Sequence, residues 1–319
     1  MRAFVGIVAA ALIATNAYAQ NAKYPAGPIT LVVPYAPGGS GDILGRLLAG
    51  ELQKRLSQPV IVENRPGGSE ITATELLARS NPDGYTLAVL SNALSINEAS
   101  PQSKKYDIAR DLAPIAKAID IPFAMLIGPK LQATSLAELV KLARAQPGKL
   151  NYAHLGPGTP HYITMEWFKR AADIDVLGVP YRSSAQSYTA LLTDEVQVVV
   201  SGLGPTLPFI ESGQAKAVVS MTRNRPKALP DTPTITEAGY PDFNLLSWMG
   251  VFGRAGTPDD RLQLLSDEII RAVESDEVKA RLLKLGLEPS PSAIDKFPSF
   301  LQQDIQHWVG MTKATLGQN

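Results

Sequence analysis

Ile29-Thr30-Leu31-Val32-Val33-Pro34-Tyr35-Ala36-Pro37-Gly38-Gly39-Ser40-Gly41-Asp42 is an apolar strand that runs through a Pro/Gly loop straight into an amphipathic helix. Leu150-Asn151-Tyr152-Ala153-His154-Leu155-Gly156-Pro157-Gly158-Thr159-Pro160-His161 repeats the device in the second half of the chain. Such a junction points free backbone N–H groups, at the positive end of a helix dipole, toward whatever sits above the strand end. Two of them, one per half, suggest a small anion held between two lobes.

Outward from these stretches, ten apolar runs read as strands, near 29–33, 59–63, 85–90, 112–119, 122–128, 150–154, 176–181, 196–201, 215–221 and 246–252. Val196-Gln197-Val198-Val199-Val200 is nearly continuously apolar, as expected of a strand covered on both faces. Between the strands the period changes to 3.6. Ile43, Leu44, Leu47, Leu48, Leu52 and Leu56 share one face of a helix over 42–56, and Leu136, Leu139, Val140 and Ala143 do so over 135–145. Over 258–275, Thr257 reads as the N-cap and Pro258 as the first helical residue; a helix near 276–285 stops at Gly286. The alternation predicts an α/β fold with mostly parallel sheets.

Residues 1–19 read as an export signal: Met1-Arg2, an apolar run from Phe4 to Ala14, and the cleavage site Ala17-Tyr18-Ala19. The run is shorter than the roughly 20 residues a membrane span needs. Cleavage after Ala19 would leave 29 basic against 30 acidic side chains. That balance argues against nucleic acid, which requires a basic footprint, and against anionic membranes. With no cysteine, neither disulfides nor thiolate chemistry is available.

Enzyme signatures are thin. Gly39-Ser40-Gly41 fails the dinucleotide fingerprint, because Leu44 stands where its third glycine belongs, and fails the nucleophile elbow, because Asp42 stands where a glycine is required. His154 and His161 flank a Gly/Pro turn at no recognised metal-ligand spacing, so neither metal nor cofactor is expected. His154 reads as a strand-end hydrogen-bonding group, and His161 sits at the mouth of the candidate anion site. In the first loop, Gly38, Gly39 and Gly41 allow close backbone approach, Ser40 offers a hydroxyl, and Asp42 is placed to cap the helix and pair with Arg46. Gly38 and Gly156 lie 118 positions apart, about one domain length. Chain crossings are placed near 118–123 and 243–249, giving lobe one over 20–119 and 245–319 and lobe two over 120–244.

The order of several motifs resembles the Bug family, the substrate-binding proteins of tripartite tricarboxylate transporters. It runs from Val33-Pro34-Tyr35 through Val62-Glu63-Asn64-Arg65-Pro66-Gly67 and Pro82-Asp83-Gly84-Tyr85-Thr86-Leu87 to Val179-Pro180-Tyr181-Arg182 and Pro230-Asp231-Thr232-Pro233-Thr234. The resemblance implies a periplasmic two-lobed Venus flytrap (type II) that captures a small carboxylate, an organic acid with aromatic and dicarboxylic acids among the candidates, for membrane transporter subunits. It nominates as ligand-binding Tyr35, Pro37, Gly38, Gly39, Ser40 and Asp42 from lobe one. From lobe two it nominates Gly156, Gly158, Thr159 and His161, with Tyr181, Ser184 and Ser201 lining the cleft. Backbone amides and hydroxyls suit reversible capture, at ~1.5–3 kcal/mol per charge-assisted bond. Arg182 is read as a helix-start arginine and left out.

Two departures bear on the ligand. Ser201-Gly202 stands where many relatives carry an Asp, a poor partner for an ammonium, and favours an organic acid without an amino group. Ser69-Glu70 replaces further glycines. Glu70 reads as the cap of a helix beginning near Thr72; facing the cleft, it would disfavour a second anionic group and favour a monocarboxylate, polar or cationic ligand. Trp248 reads as hinge packing, with Tyr35 and Tyr181 at strand ends. The competing readings are a sensor subunit for a membrane signalling protein and an exported hydrolase using Ser40 or Thr159 with His161 as base.

Overall fold

The computed structural model describes residues 24–99, 104–156, 159–241, 243 and 245–316. Residues 1–19, read above as an export signal with its cleavage site, lie outside them. Strand β1 (Ile29–Val33) lies between β2 (Val60–Asn64) and β3 (Thr86–Ser91), parallel to both. The helices of this wing are α1 (Ser40–Leu56), α2 (Ile71–Arg79), α3 (Ala93–Ala99) and α4 (Ile108–Asp111). Leu44, Leu48 and Leu52 of α1 are fully buried, so the 3.6 period carries the apolar stripe onto the sheet.

The second wing is built the same way. Strand β5 (Leu150–His154) lies between β6 (Val176–Pro180) and β7 (Val198–Gly202), again all parallel. Around it stand α5 (Leu136–Ala145), α6 (Pro160–Ala172), α7 (Ser184–Thr193), α8 (Leu203–Glu211) and β8 (Lys216–Ser220). Helix α6 starts as its sequence dictates: Thr159 accepts the Tyr162 N–H and Pro160 is the first helical residue.

An antiparallel joint connects the wings. Strand β4 (Leu112–Ile127) is 16 residues long; the apolar runs at 112–119 and 122–128 are one strand, not two. Residues 112–122 pair with β9 (Leu246–Arg254), and residues 123–127 pair with β7 and β8. The gap between those runs is absorbed, because the Asp120 carboxylate meets Lys117 Nζ at 2.5 Å while the Asp120 backbone stays in register with Trp248. Sheet order is β2-β1-β3-β9-β4-β7-β5-β6.

Strand β10 (Glu288–Ser292), Glu-Pro-Ser-Pro-Ser, carries no apolar signal and pairs antiparallel with β4, the edge position at which proline is tolerated. The chain closes with α9 (Asp259–Glu274), α10 (Asp276–Lys284) and α11 (Phe297–Leu316). Pro258, not Thr257, is the N-cap of α9; the Thr257 hydroxyl turns back to the Arg254 carbonyl instead. Gly286 follows α10 with φ +66°, the left-handed stop its position requires. Trp248 is 0% exposed and packs on Phe252, Phe297 and Phe300, inside the core and away from the crevice between the wings.

Candidate functional site

Between the wings lies a cleft of about 840 Å³, at the carboxyl ends of β1, β3, β5 and β7, where open α/β sheets place their ligands. Four helices of nine residues or more begin at its wall. Ser40 opens α1, Pro160 opens α6, Ser184 opens α7, and Gly204 lies in the first turn of α8. The first-turn N–H groups of a helix have no intrahelical acceptor, so each start presents the positive end of a dipole, with the Tyr162 and Gln186 N–H groups taken by the Thr159 and Ser183 hydroxyls. Four such ends on one cavity make it attractive to anions without a dense set of basic side chains. Arg182 is the cation among the described residues that line it.

Among the residues singled out from sequence, Tyr35, Gly38, Gly39, Ser40, Thr159, His161, Ser184 and Ser201 line this cleft. Pro37, Asp42, Gly156 and Tyr181 do not, and Gly158 lies outside the described residues. The reasons are local. Asp42 is 3% exposed, and its carboxylate accepts the Gly38 N–H at 2.9 Å, Arg46 Nε at 2.9 Å and Asn64 Nδ2 at 2.8 Å. Burial works against its charge, but these bonds together hold it below the usual carboxylate range. Asp42 is thus the brace that shapes the loop, and the Gly38 N–H is already used. Gly156 plays the corresponding part at the second corner: its N–H donates to His154 Nδ1 at 3.0 Å, and its carbonyl accepts the Thr159 hydroxyl at 2.7 Å. Tyr181 donates to Glu195 at 2.8 Å, and neither residue lines the cleft.

His161 is half-buried against Phe123, and its Nδ1 is shielded from solvent without a hydrogen-bond partner. Burial first, then the neighbouring charge of His154, pushes its pKa down to about 4. The ring is therefore neutral at physiological pH. Ser201, 3% exposed, shares a 2.6 Å hydrogen bond with Tyr188, which also lines the cleft.

Glu70 departs from its expected role. It is the N-cap residue of α2, yet its side chain makes no cap hydrogen bond; at φ 72° the backbone is left-handed and the carboxylate turns away from the helix. It is 4% exposed, lines the cleft, and accepts from the Tyr35 hydroxyl, from the Ser91 hydroxyl at 2.5 Å and from the Ser91 N–H at 3.0 Å. Burial raises its pKa against the pull of these bonds, and burial with the Glu70 charge raises that of Tyr35 well above its ordinary value.

The sequence reading also passed over Ser91, Asn92, Gly204 and Ser247. A signal existed for the first three. Val198-Val199-Val200-Ser201-Gly202-Leu203-Gly204-Pro205 is a third copy of the strand, Gly/Pro loop and helix, and Ser91-Asn92 are polar residues ending an apolar run. Ser247, at the start of β9, donates to Asn92 Oδ1 at 2.5 Å and carries no such mark.

The family model for the tripartite tricarboxylate transporter family receptor, TctC, matches residues 44–316. The chain belongs to the TctC family. BugT of Bordetella pertussis is 32% identical over 316 residues, covering 98% of this chain and 96% of that one. Among solved structures, R. palustris Rpa4515 with adipate superposes with a TM-score of 0.84 at 28% identity, covering 92% of this chain and 99% of that one. MatC (Rpa3494) from Rhodopseudomonas palustris with bound malate gives 0.78 at 28% identity, covering 91% and 100%. This TctC member shares with them a two-lobed α/β binding-protein fold. Among its described residues, no helix is long and apolar enough to cross a membrane.

Proposed function

We propose that this TctC member is a periplasmic receptor that captures a small organic acid between two lobes and delivers it to membrane transporter subunits. The observation that carries the reading is the convergence of four helix starts on one cleft of about 840 Å³. Adipate in one structural relative and malate in another support a carboxylate as cargo. The anchoring groups are the free first-turn amides of α1 and α8, the Ser40 hydroxyl, and Ser184. His161 and Arg182 complete the lobe-two lining.

The lobes are taken as lobe one over 20–119 and 245–319 and lobe two over 120–244, a division three residues before β4 changes partners between 122 and 123. Rotation about β4 and the start of β9 closes the cleft over the ligand. The reading is one of binding and not catalysis. The Thr159 hydroxyl is spent on Gly156, and His161 Nδ1 holds neither a nucleophile nor an orienting carboxylate.

A thermal-shift screen of small carboxylates on the mature chain tests the proposal. A ligand at a hundredfold excess over Kd stabilises by about 2.7 kcal/mol, an easily read shift in Tm. A screen in which no acid moves Tm overturns it.

A further inference from the structure

Resting on the carboxylate-receptor reading, one buried group in the cleft bears on which acids it accepts. A binding site attractive to anions ordinarily holds no anion of its own. Here Glu70 places a carboxylate, 4% exposed, in the lobe-one wall. The groups around it form a seat shaped for that charge: the Tyr35 hydroxyl, the Ser91 hydroxyl and the Ser91 N–H all donate to it. Three converging donors are what a protein offers a carboxylate ligand, and here the chain supplies the carboxylate itself. The backbone yields to allow it, since both Ser69 (φ 50°) and Glu70 (φ 72°) adopt the left-handed conformation that side chains disfavour. Beside this seat, Asn92 Nδ2 is buried with no hydrogen-bond partner, although the Asn92 Oδ1 is held by Ser247. A buried donor left open on a cleft wall points to an acceptor supplied from outside.

We infer that Glu70 is a resident anion that sets cargo selectivity, filling the Tyr35–Ser91 seat so that the lobe-one wall turns away a second carboxylate. The cargo is then an acid with one carboxylate, held by the helix starts. Its remaining part meets Glu70 as a hydrogen-bond donor such as a hydroxyl, amide or ammonium. A hydroxyl or amide satisfies both neighbours at once, donating to Glu70 and accepting from Asn92.

The test is calorimetry on the mature chain with matched straight-chain acids of four to eight carbons that end in methyl, hydroxyl or a second carboxylate. The wild type is expected to bind the hydroxy or simple acid at least tenfold more tightly than the dicarboxylate of equal length. Glu70→Gly, whose backbone accepts the left-handed turn, empties the seat. It is expected to remove or invert that preference and to gain more Tm on addition of acetate than the wild type does. Glu70→Gln keeps the side chain and removes the charge, so it covers the case in which the glycine variant fails to fold; its preference should narrow in the same direction. Dicarboxylates bound by the wild type as tightly as monoacids, or a preference unchanged in a folded variant, overturn the inference and leave the receptor reading intact. If no acid binds while acetate still stabilises Glu70→Gly, the receptor reading fails and the seat stands.

Discussion

The two glycine corners share a backbone but not a chemistry. Each follows a parallel strand, each turns at a positive-φ glycine (Gly38 at +90°, Gly156 at +108°), and each feeds a helix whose first residues line the cleft. The first corner is braced by carboxyl groups: Asp42 gathers Gly38, Arg46 and Asn64, while Glu70 gathers Tyr35 and Ser91. The second is braced by neutral groups, with His154 accepting the Gly156 N–H and Thr159 donating to the Gly156 carbonyl. The turn can thus be built with either kind of partner. The choice decides how each wall of the cleft responds to pH and to charge on the ligand.

The comparison breaks most severely at Asp42. Replacing it with alanine orphans the Gly38 N–H, leaves Asn64 Nδ2 with the Tyr35 carbonyl alone and breaks the ion pair to Arg46, which is expected to cost about 2–3 kcal/mol in urea unfolding. An unchanged midpoint would show that the first corner needs no acidic brace. Next is Gly41→Ala. Its Cβ would lie 2.1 Å from the Tyr35 ring, which the bond to Glu70 holds in place. A loss of about 1–3 kcal/mol is expected, with weakened ligand binding as Tyr35 shifts.

The histidines sharpen the contrast through pH. His161 titrates near 4 in the folded chain against about 6.5 when unfolded, so the unfolded chain binds the extra proton. Stability is therefore full above pH 6.5, falls as pH drops through that window, and stops falling from this source near pH 4. His154, lowered mainly by burial, acts in the same direction. Thermal melts from pH 7.5 to 4 should show the decline, and His161→Phe should flatten it; an unaltered slope would assign the acid sensitivity elsewhere. The smallest effect is expected at Thr159→Val, which removes the α6 cap and its bond to Gly156, at about 1 kcal/mol.

Much of this architecture was legible because it is local. The strand–loop–helix junctions, the α1 stripe and the Gly286 stop each follow from a few neighbouring residues. What escaped depends on distant ones. Residues 112–127 form one strand because Lys117 neutralises Asp120 and β9 supplies register on both sides of the apparent break. Strand β10 forms because β4 offers it an edge. In the site, eight of the named residues line the cleft because the strand-end rule applies to them directly. Asp42 and Gly156 escaped it because their polar groups are turned inward to shape the loops. Glu70 was misassigned for a related reason. Sequence places it at a helix start, but only the fold brings Tyr35 and Ser91 close enough to claim its carboxylate.

Strand β9 sits between β3 and β4, so neither neighbour is complete until it arrives. Ala88 waits for Phe252, a separation of 164 positions. At the roughly 5–20 residues per second of synthesis, that is a delay of about 8–30 s with an unpaired sheet edge. Slow maturation is usually a hazard, because open edges invite aggregation. On the periplasmic reading proposed above it has a use, keeping the polypeptide threadable until its last third has been made.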